Sequence, residues 1–381
     1  MTNIRKLGEL IEWVDTRNKG VISTNLLGIN IEKYFMPSVA NIIGTDLSSY
    51  KLICKNQFAC NPMHVGRDEK MPIALYMEEE PSIVSPAYFV FQVRDLTILN
   101  PEFLMLWFRR AEFDRECWFH TDGSVRGGIT WDEILDMSVP VPSIEEQNNI
   151  VLSYNNIANR IKLKKQINDN LDATVLTLYK SLLLEQNDDW IIAKLGDVIS
   201  DANTGGDAIQ KVPIVNYDTG IKCARVGDIT NKREYDSWSY CKASSSVYQT
   251  YKLDVGDILV TRTATLGITQ FIGKEIKGVY NNGLIRLKVN KSKALPLYVY
   301  WIMQTVDFIS YINQINSATS VRPNMKIEYL LDYPITVPPM EIQQSFSRKA
   351  EPLRVYKAQN NSEILSLVEL QNSLLTRLSS R

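Results

Sequence analysis

Two short strings carry residue types that could do chemistry on nucleic acid or nucleotide. Asn61-Pro62-Met63-His64 starts like the loop with which adenine methyltransferases hold a flipped base. That loop needs an aromatic residue to stack on the base, and Met63-His64 stands where Pro-Tyr is required. Asn203-Thr204-Gly205-Gly206-Asp207 is glycine-rich but lacks the Lys-Ser/Thr of a phosphate loop, so it reads as a flexible turn. No glycine-rich strand-to-helix turn for a nucleotide accompanies either string, and no Asp cluster with an attendant Lys suggests a nuclease. Asp257, beside Gly256 where a turn enters a strand, reads as structural. Five cysteines without a CxxC pair, and only His64 and His120, argue against a metal or disulfide framework. Small buried or half-buried thiols in a reducing cytoplasm are expected instead. The expectation is a protein that is not itself an enzyme and holds no cofactor or metal of its own.

Other residues are suited to contact rather than catalysis. Reading base edges in a major groove needs Arg, Lys, Asn, Gln, Ser or Thr on accessible loops. Arg262, Thr263 and Thr265 follow a predicted strand, Asp257 to Val260, on a Thr-rich turn. Arg225 precedes Asp228 in a similar strand-end setting, and Arg322, Asn324 and Lys326 form a third polar cluster. Asn61, His64, Arg67, Ser124 and Arg126 take corresponding places earlier in the chain. For each of them a solvated side chain or an internal ion pair is the alternative. Tyr235, Trp238 and Tyr240 could stack on bases, with core packing as the alternative.

The elements that must position these residues are written twice. Lys6-Leu7-Gly8-Glu9-Leu10-Ile11 returns as Lys194-Leu195-Gly196-Asp197-Val198-Ile199. Ser124-Val125-Arg126 returns as Ser320-Val321-Arg322, and at that offset of 196 nine of the 24 positions from Ser124 onward are identical. Among them Glu145 and Gln147 match Glu341 and Gln343. Such a long period marks a duplicated domain, not a solenoid. Arg126 and Arg322, common to both copies, are better suited to supporting the fold or touching phosphate.

Each copy closes with a β-like, proline-rich segment (Met137 to Pro142; Tyr333 to Pro339), followed by a long stretch with an acidic first turn. Ile150, Tyr154, Ile157, Ile161, Lys164, Asn168, Leu171, Val175, Leu178 and Leu182 step by four and three. So do Phe346, Ala350, Leu353, Lys357, Asn360, Ile364, Leu367, Gln371, Leu374 and Leu378. These are heptad seams with polar centres, and polar seam positions specify register and partner. A helix of about 40 residues is about 60 Å long. Two such helices pair most simply as an antiparallel coiled coil, with the globular domains at opposite ends about a pseudo-two-fold axis. A rod of that length suits two DNA half-sites about one turn, ~34 Å, apart. The expected fold is α/β (α+β), with two tandem domains at 1–144 and 188–340 and long helices at 145–187 and 341–381.

Charge leaves the partner open. The chain has a net charge of −1, residues 1–144 carry 14 basic and 19 acidic side chains (−5), and residues 190–340 carry 17 and 13 (+4). Neither half has the positive field of a non-specific phosphate binder. No run reaches the 18 or so apolar residues of a membrane span, and Met1 to Leu10 has no signal-like pattern.

Taken in order, these motifs resemble the specificity subunit of type I restriction–modification enzymes, over essentially the whole chain. The resemblance rests on Asn61-Pro62-Met63-His64-Val65-Gly66-Arg67 and Ile83-Val84-Ser85-Pro86-Ala87-Tyr88-Phe89-Val90-Phe91 in the first half. In the second half it rests on Ala224-Arg225-Val226-Gly227-Asp228-Ile229 and Val255-Gly256-Asp257-Ile258-Leu259-Val260-Thr261-Arg262-Thr263. The closures Val139 to Gln147 and Val337 to Gln343 complete it. His64, where relatives tend to have Arg, and Ala264-Thr265, where Gly is frequent, depart from the pattern and bear on which bases are read. The resemblance implies that each domain reads half of an interrupted DNA sequence. It implies paired helices that measure the spacer and dock two adenine-methylating subunits, which bind S-adenosylmethionine. Motor-nuclease subunits using ATP and Mg can join. The alternatives are a coiled-coil scaffolding adaptor that ignores DNA, or the DNA-reading subunit of another methylation-based defence system.

Overall fold

Strands form where β-branched and aromatic residues alternate between two apolar surfaces. The computed structural model describes residues 3–40, 44–121, 127–184, 189–207, 209–318 and 324–379. It divides into two units, residues 1–160 with 367–381, and residues 161–366.

In the first unit a four-stranded antiparallel sheet runs in the order Ile11–Trp13, Phe89–Val93, Gln57–Cys60, Ile73–Leu75. Phe58, Cys60, Phe91 and Val93 point to one face and meet the helix Pro101–Phe108, in which every residue from Phe103 onward is buried. Asn100 caps that helix through Glu102 N (2.8 Å), with Pro101 in the first turn, where its missing N–H is harmless. Ala59 and Val90 point to the other face and meet a smaller sheet, Phe35–Pro37, Leu26–Ile29, Ser82–Val84, Lys51–Ile53. Its pairing of Leu26–Ile29 with Ser82–Val84 is parallel.

The second unit repeats the plan. Ile199–Thr204, Leu284–Val289, Ile258–Thr261 and Thr269–Phe271 take the same sheet order. Ile258 and Val260 face the helices Pro296–Ile302 and Val306–Ala318, while Leu259 and Leu284 face a small sheet with one parallel pair, Lys222–Ala224 with Gly278–Tyr280. In both units an opening strand pairs antiparallel with the proline-rich closing strand: Asn3–Lys6 with Ser138–Val141, and Ile191–Lys194 with Pro334–Val337.

The positions shared by the two copies now have physical reasons. Lys6 pairs with Asp136 at 2.6 Å, and Lys194 with Asp332 at 2.8 Å. A Cβ on Gly8 or Gly196 would come within 3.3 or 3.2 Å of the Cβ of Leu135 or Leu331. Gln147 is fully buried; its Oε1 accepts from Asn100 N (2.8 Å), and its Nε2 donates to Ile98 O (2.8 Å) and Pro142 O (2.9 Å). Gln343, equally buried, accepts from Leu295 N and donates to Pro338 O, both at 2.8 Å. Each glutamine ties the start of a long helix to its own globular domain.

The long helices are Ile144–Leu184 and Met340–Ser379. In the second unit they run antiparallel, because contacts that climb one helix descend the other. Lys164 meets Asn360 (2.9 Å) and Glu363 (2.6 Å), Asn168 meets Asn360 (3.1 Å) and Asn361 (2.9 Å), and Asp172 meets Lys357 (2.6 Å). The polar seam centre therefore satisfies its own hydrogen bonds, as buried polar groups must. Ile161, Asn168, Val175, Ala350 and Asn360 are buried, and Leu171, Leu353, Lys357 and Ile364 are half-buried. In the first unit Ile157 and Leu367 are half-buried. Near the domains the stripe widens beyond the heptad: Tyr179 packs on Tyr298 and Phe346, and Val151 joins the first core. There a helix covers both its partner helix and a domain.

Candidate nucleic-acid interface

The second unit gathers five of the sequence-predicted contact residues into one patch. Strand Ile258–Thr261 is buried along its length between two neighbours, so its continuation is delivered to the surface at a fixed height. Gly267 N donates to Thr261 O (2.8 Å) and Ile268 N to Thr261 Oγ1 (3.0 Å), closing the loop 262–267. Two residues turn left-handed there, Ala264 (φ 60°) and Gly267 (φ 76°). At Gly267 any side chain would also strike Ile312, 2.7 Å from the Cβ position. Residues 324–326 run alongside: Met325, fully buried, donates its N–H to Arg262 O (2.8 Å), and Thr263 bridges to Asn324.

Arg262 Nε donates to Met325 O (3.3 Å), which aims the guanidinium while leaving its two terminal nitrogens without a partner among the described residues. Thr265, Asn324 and Lys326 are exposed, and Thr263 is half-buried. Lys326 lies over the Tyr329 ring at 5.8 Å. A steered donor fork, two hydroxyls, an amide and an ammonium suit base edges and phosphates, not bond cleavage. A Cβ placed on Gly283 would lie 2.5 Å from Val226 Cγ2 and 3.0 Å from Thr263 Oγ1, so the start of helix Val226–Thr230 abuts the patch. Sequence reasoning passed over Gly283; the Asn281-Asn282-Gly283 turn was its signal.

Arg225 is already committed. It bonds Asp228 (Nε, 3.4 Å) and Ser239 Oγ (2.9 Å), and Asp228, 1% exposed, is shared with Arg233. It supports the helix beside the patch. Trp238 is a core residue whose Nε1 donates to Arg233 O (3.0 Å), while Tyr235 and Tyr240 flank the Lys222 ammonium at 5.3 and 4.9 Å. Core packing holds for Trp238, while Tyr235 and Tyr240 are half-buried. Asp257 is buried and accepts from Asp254 N (2.9 Å), a structural role. The Asn203–Asp207 stretch is not a flexible turn: Asn203 and Thr204 belong to a strand, and a Cβ on Gly205 would come within 2.2 Å of Tyr280 O.

The first unit uses the corresponding place differently. Asn61 Oδ1 accepts from Met63 N (3.2 Å) and caps the turn Pro62–His64, which leads into the helix Val65–Asp68. Ile129 N donates to Pro62 O (3.2 Å) as Met325 N does to Arg262 O, so Pro62 stands where Arg262 stands. Arg67 is held by both oxygens of Asp68 (2.7 and 2.9 Å). Ser124, Arg126 and Arg322, and the side chain of His64, lie outside the described residues. The methyltransferase-like string is thus a helix cap. Cys60, Cys117, Cys223 and Cys241 are buried and Cys54 is exposed; burial pushes the Cys241 thiol up to about 11. Among the described residues no cluster could hold a metal, and no helix is long and apolar enough to cross a membrane.

Residues 187–369 match the type I restriction modification DNA specificity domain. A type I restriction enzyme specificity subunit of Methanocaldococcus jannaschii, MjaIX, is 25% identical over 292 residues. Over this span the chain is similar to the type I restriction–modification specificity subunits. The archaeal match covers 67% of this chain and 63% of the relative, less than two thirds of its length. The crystal structure of a type I specificity subunit from M. genitalium shares the fold, with a TM-score of 0.60 at 13% identity, over 99% of this chain and 96% of that one. The specificity-domain match falls on the second unit's strands and patch, and the first unit repeats the same sheet order.

Proposed function

We propose that this chain reads an interrupted, two-part DNA sequence, one half through residues 1–144 and the other through residues 188–340. Helices 145–187 and 341–381 set the spacing and dock two adenine-methylating subunits. The chain performs no catalysis and carries no cofactor; S-adenosylmethionine belongs to the methylation subunits, and ATP and Mg to any motor-nuclease partner. The cytoplasm, where DNA and these partners reside, is its place.

The observation that carries the reading is the steered, open guanidinium of Arg262 amid Thr263, Thr265, Asn324 and Lys326. An arginine fork of this kind matches the O6 and N7 acceptors of guanine. That the first unit places a proline at the equivalent point supports two heads reading different bases. The test is competitive binding by the chain reconstituted with its methylation subunits, against random DNA and DNA enriched by selection. Enrichment of two short blocks separated by a constant gap is expected. Equal competition by random DNA would reject the reading in favour of a scaffold.

A further inference from the structure

The second head is joined to the helices through a polar seat, not through apolar packing alone. Arg354, on the second long helix, lies under the strand Thr269–Phe271 and its turn. Its guanidinium is 5.2 Å from the Phe271 ring, and a Cβ on Gly273 would sit 2.4 Å from its nitrogens. A side chain at 273 would push the guanidinium out of this position. Glu351 holds the fork from its own helix with two bonds (2.7 and 2.6 Å).

About one turn farther along the helix Lys357 is held by Asp172, and about two turns farther Asn361 Nδ2 donates to Glu234 (3.2 Å). Glu234 follows the helix Val226–Thr230, whose opening residue abuts the Arg262–Thr263 patch. Between these contacts is a cavity of about 120 Å³ lined by Glu234, Gln270, Tyr300, Arg354, Lys357 and Asn361. Gln270 Oε1 in its wall has no partner among the described residues. A joint with spare volume and polar walls, room for several waters, can settle at more than one angle unless a rigid contact selects one.

The geometry points to Arg354, seated on Gly273, as the positioning residue that sets the angle of the second reading head on the helices, and so the spacer length the protein accepts. It touches no DNA. Apolar packing of Val175, Tyr179, Phe346 and Ala350 against the second core and the Gln343 tie hold the head on the helices, and the polar seat of Arg354 with Asn361 and Glu234 trims its angle from the other side.

This rests on the bipartite reading above. The test measures methylation by the reconstituted complex on a DNA library in which both half-sites are fixed and the gap varies by single base pairs. Arg354→Met and Gly273→Ala are compared with the unchanged chain, and Arg354→Lys asks whether charge without the fork restores the seat. In Arg354→Met and Gly273→Ala the preference for the best gap over its neighbours should fall about fivefold, the order of one cation–π contact with Phe271, or move by one base pair. The bases preferred within each half-site should stay the same. Arg354→Lys should recover only part of the preference. An unchanged gap profile in folded variants would overturn the proposal alone, as would equal loss at every gap, which a merely structural residue would give. If the unchanged chain shows no gap preference, the bipartite reading falls and this proposal falls with it.

Discussion

Arg262→Ala separates base reading from phosphate holding in one experiment. The substitution removes a guanidinium whose Nε is occupied by Met325 O and whose terminal nitrogens are open. The strand behind it is buried and unchanged, and Met325 N still bonds the residue-262 carbonyl, so the loop should keep its path. Loss of a bidentate contact to guanine should weaken binding to the cognate half-site by about 1–3 kcal/mol, or roughly 5- to 150-fold. Binding to scrambled DNA should change little. Arg262→Lys keeps the charge but not the fork, and should recover little discrimination. Affinity of the reconstituted complex is measured against salt on both DNAs. If Arg262 holds a phosphate instead, affinity will drop alike on both, and the log–log salt slope will fall by about 0.9. That outcome would refute the reasoning.

Further substitutions test the scaffold. Gln147→Met strands one buried N–H and two carbonyls, whereas Gln343→Met strands one of each. At about 1 kcal/mol or more per orphaned group, the first should destabilise its unit more than the second, as read by hydrogen exchange at the helix starts. Lys33, 4% exposed, pairs with Asp114 at 2.7 Å and donates to Phe108 O. Lys33→Met should cost about 3–5 kcal/mol by leaving the carboxylate uncompensated. Adding Asp114→Asn should recover part of this in a denaturant double-mutant cycle; strict additivity would refute the coupling. Ala264→Gly removes a left-handed non-glycine residue, and should change stability by no more than about 1 kcal/mol, in the stabilising direction. One heptad added to both long helices should lengthen the gap preferred in DNA selection; an unchanged gap would show that the helices are not the ruler.

Much of this was legible in the sequence because duplication marks what both copies need. The 196-residue offset singles out Gln147 and Gln343, which are buried ties, and the heptad steps pick out Lys164, Asn168 and Asn360, which bond one another, and Lys357, which bonds Asp172. The clustering of Arg262 with Asn324 was half-legible: Arg262 follows an apolar run and Asn324 sits in a polar cluster before the closing segment, but only the Met325 backbone bonds bring them side by side. Other features are three-dimensional and leave little trace. For Arg225 the sequence leaves a DNA contact and an internal ion pair both open, and the fold brings it onto Asp228, three residues on. Gly273 and Arg354 meet across distant stretches of chain, and no local pattern announces their contact. Pro62 standing in for Arg262 depends on a backbone bond to Ile129 that side-chain patterns do not encode.

The most direct test of two linked reading heads is the map of methylated adenines in host DNA, with this chain present and with it deleted. The account predicts a single motif of two short, unlike blocks separated by a constant number of unspecified bases, lost on deletion. A contiguous motif, or a map unchanged by deletion, would contradict it.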